Sequence, residues 1–125
     1  MTAANRPVPA AQVPGITAQW IGLLLAPAAF FTHLQLGYVL VYRACRYHTD
    51  LWVHVAGATS VALAAFGTWT AWRVWTRTGR TTSIEEAGAV ARARFLGITG
   101  FGSGALFVLL LLSQWMAAFV LSPCQ

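Results

Sequence analysis

Few side chains in this chain could act in catalysis or hold a metal ion. The candidates are three histidines, two cysteines and three acidic residues: His33, His48, His54, Cys45, Cys124, Asp50, Glu85 and Glu86. None of the acidic residues falls in a long apolar run, which argues against a proton relay inside a membrane. His48 and His54 alone are too few ligands for a closed zinc site, and the chain has no CxxC, HExxH, GxSxG or P-loop motif. We therefore expect neither enzyme activity nor a bound metal or cofactor.

The chain contains three long apolar runs, two of which carry His33 and His54. The 125 residues are 58% hydrophobic and 9% charged, whereas soluble domains average about 25% charged residues. Each run exceeds the roughly 20 helical residues that cross a bilayer. We predict an all-α integral membrane protein with a disordered tail at 1–16 and one three-helix domain at 17–125. The helices are expected at about 18–44, 51–76 and 84–121, and the last of them starts at a capping box formed by Ser83 and Glu86.

Arginine placement predicts the orientation. All eight basic residues are arginines, six in the N-terminal segment and the second loop and two in the first loop: Arg6, Arg73, Arg77, Arg80, Arg92 and Arg94 against Arg43 and Arg46. The positive-inside bias then predicts a cytoplasmic N-terminus and a periplasmic C-terminus in a bacterial inner membrane, with the first helix as an uncleaved anchor. The same bias accounts for the basic pI, so we expect no nucleic-acid partner. The partners we expect are membrane lipid and other membrane protein subunits.

The two cysteines are predicted to form a disulfide. Cys45 and Cys124 each come just past a predicted helix end, and the predicted topology places both in the oxidising space outside the inner membrane. The alternative is a pair of free thiols.

Small residues recur at spacings of three and four along the predicted helices. They include Gly57 and Ala64 on the second helix and Gly97, Gly100 and Gly104 on the third. In lipid, close backbone approach holds helices together, so this pattern predicts a compact bundle.

Two polar features lie inside the predicted spans. His33 and Gln114 fall at similar depth on packing faces, and we predict a hydrogen bond between them, direct or through a water, as a packing contact or as one element of a ligand or proton site. A haem between His33 and His54 is not expected, because the two differ by about 12 Å in depth. Gln35 points away from His33, on a face with Tyr38 and Tyr42. This face either meets another protein chain or is exposed to lipid.

The segment from His33 to Cys45 begins HLQLGYVL and ends in Ala44-Cys45. It resembles small bacterial membrane proteins that occur with haem-copper oxidases and related respiratory components, which also tend to have a histidine like His54 and a Trp-Arg pair like Trp72-Arg73. The resemblance covers about the first half of the chain, and it implies an accessory or assembly role. The function we expect is therefore that of a non-catalytic subunit or assembly helper of a respiratory complex. The alternatives are a module that binds quinone, haem or lipid, and a small homo-oligomeric transporter.

Overall fold

Three long helices make up the protein in a computed structural model that describes residues 13–78, 88–121 and 124. They are α1 (Ile16–Tyr47), α2 (Leu51–Arg77) and α3 (Ala89–Val120), and no β-strand occurs in the described ranges. All three are long and apolar enough to cross a membrane. The prediction of an all-α chain with three candidate membrane spans is therefore confirmed.

The observed ends of the helices can be compared with the predicted ones. α1 extends beyond the predicted range at both ends and includes Pro27, and α2 ends within a residue of its predicted limit. Most of the predicted tail (residues 1–12) and the predicted start of the third helix, with the capping box of Ser83 and Glu86, lie outside the described residues. α3 is described from Ala89 onward.

A three-residue turn joins α1 to α2. His48, the residue after α1, has the left-handed conformation with φ 50°. The backbone N–H of His48 donates to the carbonyl oxygen of Ala44 and caps the end of α1. The carbonyl oxygen of Asp50 then accepts from the backbone N–H groups of Val53 and His54. Because the turn is this short, α1 and α2 must run antiparallel as neighbours.

The backbones of the three helices come into contact at glycine and alanine residues. A Cβ atom added to Gly22 would lie 2.9 Å from the backbone nitrogen of Ala71, and one added to Gly100 would lie 2.8 Å from the carbonyl oxygen of Gly22. Gly22, Ala71 and Gly100, which we call the three-helix contact, therefore have no room for a larger side chain. The five predicted packing residues are all buried: Gly57, Ala64, Gly97, Gly100 and Gly104.

Apolar side chains divide between the packed interior and the outer surface. Ala26, Ala29, Ala64 and Leu111 form a buried cluster. Large apolar residues project outward from every helix, including Phe31, Leu63, Phe66, Leu109 and Phe119. A surface of this kind suits hydrocarbon and would be unfavourable in water.

Candidate functional site

One end of the molecule is fixed by a disulfide between Cys45 and Cys124, whose Cα atoms lie 5.3 Å apart. Cys45 is in the last turn of α1, and Cys124 follows α3. The bond therefore joins the first and third helices, as predicted. We call this the disulfide end. The opposite end, where Arg73, Arg77, Arg92 and Arg94 lie, is the arginine end.

His54, near the disulfide end, is held by aromatic neighbours. The indole N–H of Trp115 donates to its Nδ1 over 3.3 Å, and the ring of Phe119 stacks on it with centroids 4.5 Å apart. Because Nδ1 accepts, the neutral imidazole carries its proton on Nε2. Gly57 makes room for the indole, since a Cβ there would lie 2.7 Å from Cδ1 of Trp115. His54 thus serves in helix packing, and no cluster of three or more histidine, cysteine, aspartate or glutamate side chains suited to a metal occurs in the part of the chain that the structure describes.

His33 forms a direct hydrogen bond to a residue other than the predicted partner. Its Nδ1 is joined to the Oγ atom of Ser60 on α2 by a hydrogen bond of 3.3 Å. Among the described residues no direct bond joins His33 to Gln114, and the contact through a water stays a prediction. Ser60 is buried in the stripe of small residues on α2, which brings its hydroxyl against α1. Gln114 comes from α3 and lies on the far side of a groove.

This groove opens on the surface between α1 and α3. It has a volume of about 370 Å³ and is lined by Leu34, Gly37 and Val41 together with the polar side chains of His33, Tyr38 and Gln114. We call it the α1–α3 groove. A second recess of about 220 Å³ shares Val41 with it and continues to Asp50 and His54 at the disulfide end. The boundary between α1 and α3 therefore has recesses that open to the outer surface, in the half of the molecule nearest the disulfide.

An exposed polar face lies beside this groove. Tyr38 and Tyr42 are 79% and 69% exposed, and Gln35 is exposed as well. In the described part of the chain, no hydrogen bond from α2 or α3 reaches any of these three side chains. The Gln35, Tyr38 and Tyr42 side chains, which we call the α1 polar face, are therefore exposed and have no hydrogen bond to the protein's other described helices.

The arginine end contains a buried cation that the sequence analysis did not single out. Arg94 is only 4% exposed, and its Nε and Nη2 atoms donate to the carbonyl oxygen of Thr78 over 3.1 and 2.7 Å. Thr78 follows the last residue of α2, where a cation is favourable because carbonyl groups point outward. A signal was present in the sequence, since Arg94 lies three residues before Gly97 on the small-residue stripe of α3.

Comparison of this chain with protein-family models, with curated proteins and with solved structures finds no match.

Proposed function

We propose that this protein is a non-catalytic accessory subunit or assembly helper of a larger membrane complex, and that it binds its partner through the α1 polar face. The observation that carries this proposal is the outward orientation of Gln35, Tyr38 and Tyr42 on a helix that is apolar enough to span a membrane. A polar group within hydrocarbon, such as the Gln35 amide, needs a hydrogen-bond partner, and the described helices of this chain supply none here.

The depth of Gln35 in the membrane also supports a contact with a partner helix. α1 has 32 residues, so it is about 48 Å long and exceeds a hydrocarbon layer of about 30 Å by roughly 9 Å at each end. Gln35 is twelve residues before Tyr47, which places its amide about 9 Å inside the hydrocarbon. Lysine and arginine near a helix end can reach the interface, but a glutamine side chain is too short to do so from this depth. A polar group on a partner helix satisfies the amide at a gain of about 1 kcal/mol.

The setting of the complex follows from other features. We propose a compact bundle in a bacterial inner membrane, with the N-terminus in the cytoplasm and the disulfide end in the periplasm. Two features support this orientation, namely the six-to-two distribution of arginines and the oxidising space that a disulfide requires. A respiratory complex of the haem-copper oxidase type is proposed on the resemblance of the segment from His33 to Cys45.

Purification of the tagged protein from native membranes in mild detergent tests the proposal. We expect larger membrane subunits to co-purify in near-stoichiometric amounts, as quantified by mass spectrometry. Gln35→Leu and Tyr38→Phe keep the side-chain size, remove polar atoms and should deplete the partner. Thr59→Val is the matched control on α2, because Thr59 is exposed but its hydroxyl already donates to the carbonyl oxygen of Val55. A monomer that purifies alone, or an equal loss of partner in the control, contradicts the proposal.

A module that binds a quinone is a second candidate, which the α1–α3 groove favours. His33 and Gln114 stand on opposite walls of this recess, and both can donate hydrogen bonds to the carbonyl oxygens of a ring that enters from the membrane. Lipid extraction of the purified protein, followed by mass spectrometry, should then recover quinone from the wild type and less from His33→Ala. A protein that purifies colourless and without quinone excludes both a quinone and a haem in this groove.

A further inference from the structure

Another groove, at the arginine end, is lined by two arginine side chains and by apolar residues. It lies between the start of α1 and the end of α2 and has a volume of about 250 Å³. One wall is formed by Pro14, which precedes α1, and by Ala18 on α1, and Phe66, Trp69, Arg73 and Arg77 are among the residues on the α2 side. We call it the α1–α2 groove. It is separate from the α1–α3 groove, which opens near the disulfide end.

The two arginines of this groove are placed to act together. Arg73 and Arg77 are four residues apart, so they lie on one face of α2, one turn from each other. Side chains on a helix tilt toward its N-terminus, which here is the direction of the membrane interior. The guanidinium carbon of Arg73 accordingly lies 4.9 Å from the ring centroid of Trp69, one turn deeper. This cation–π contact involves no hydrogen-bond acceptor, so the N–H donors of the guanidinium group remain available to a ligand.

Both arginines are exposed, and no ion pair to either of them is found within residues 13–78, 88–121 and 124. Their charge is therefore not neutralised by a carboxylate of the described protein. The groove below them is formed mainly by apolar side chains and runs toward Phe66. Two guanidinium groups above an apolar recess are complementary to a molecule that has a phosphate at one end and a hydrocarbon chain at the other.

We propose that the α1–α2 groove binds an anionic phospholipid of the adjacent leaflet. Its phosphate accepts hydrogen bonds from Arg73 and Arg77, because guanidinium groups match the geometry of phosphate oxygens. One acyl chain lies along Ala18, Phe66 and Trp69. The net negative charge of the lipid distinguishes it from a zwitterionic lipid, whose ammonium group two arginines would repel. This inference goes beyond the proposed function and does not depend on which partner α1 contacts.

Native mass spectrometry of the purified, disulfide-bonded protein tests this site with phosphatidylglycerol and phosphatidylcholine as probes. We expect one phosphatidylglycerol to bind in preference to phosphatidylcholine. Arg73→Gln and Arg77→Gln should each weaken phosphatidylglycerol binding about five-fold, and the double variant about 25-fold, since each basic residue near an anionic lipid surface has a comparable effect. Arg92→Gln is the matched control, because Arg92 is exposed at the same end on α3 and does not line the groove.

The apolar part of the site has its own test. Ala18→Phe fills the groove without removing a charge and should also weaken phosphatidylglycerol binding, whereas inorganic phosphate at millimolar concentration should not displace the lipid. An equal loss in Arg92→Gln would show that only the overall charge attracts the lipid, and this overturns the proposal. Equal binding of the two lipids, or full displacement by inorganic phosphate, overturns it as well. Arg73 and Arg77 are exposed, so their variants keep the fold and decide the question even if Ala18→Phe does not fold.

Discussion

Replacing Gly100 by alanine should destabilise the protein through the three-helix contact. The new Cβ would lie 2.8 Å from the carbonyl oxygen of Gly22 and 3.1 Å from the Cβ of Ala71. Ordinary contact between such atoms requires about 3.5 Å, so α3 must move away from α1 by about 0.7 Å. Overpacking of this kind costs about 1–3 kcal/mol, and the greater helix propensity of alanine offsets up to about 1 kcal/mol of it.

Gly102→Ala separates these two effects. Gly102 is on the same helix but is exposed, and a Cβ there would meet nothing within 4 Å. The propensity gain is therefore common to both variants, and their difference should equal the packing cost of about 1–3 kcal/mol. Unfolding by sodium dodecyl sulfate in mixed micelles, followed by tryptophan fluorescence, measures it, because Trp72 on α2 packs against Phe101 on α3. Equal unfolding midpoints for the two variants would refute the claim that backbone contact holds these helices together.

Three further predictions can be checked by the same unfolding measurement. Arg94→Gln should cost about 1.5–3 kcal/mol, because it removes charged hydrogen bonds to Thr78, whereas the exposed Arg92→Gln should change stability by less than about 0.5 kcal/mol; similar losses would contradict the capping role. Cys45→Ser should lower stability by at most about 4.5 kcal/mol, the loop-entropy value for a separation of 79 residues, and an unchanged midpoint with reductant would show that the bond does not hold the helices. Trp115→Phe should cost about 0.5–1.5 kcal/mol by leaving Nδ1 of His54 unpaired, and an equal further loss when the same change is made in His54→Phe, where that acceptor is absent, would contradict this reason.

The number of helices and the packing faces of α2 and α3 could be predicted from the sequence. Both follow from properties of a single chain segment: apolar length sets a span, and the 3.6-residue period brings Gly57 and Ala64, or Gly97 and Gly104, to one face. The disulfide was predictable for a related reason. Cys45 lies in the last turn of α1, Cys124 follows α3, and two helices separate them, so three spans would place both cysteines on one side.

The pairing of polar side chains between helices could not be predicted in this way. Whether His33 meets Ser60 or Gln114 depends on the rotation and the relative height of α1 and α2, and periodicity fixes neither. The close approach of Gly22 to Ala71 sets both, and Gly22 was not identified as a packing residue. The burial of Arg94 was missed for the same reason, since its charge was attributed to orientation and its acceptor belongs to another helix.

The disulfide also bears on how the chain enters a membrane. In the proposed orientation, Cys45 emerges when α1 has crossed, whereas Cys124 reaches the same side only after α3 has crossed in turn. A chain arrested with two helices inserted would then hold its cysteines in different compartments and stay reduced. Disulfide formation therefore marks the chains whose insertion is complete. Thiol trapping during synthesis can distinguish these chains from chains whose insertion is arrested.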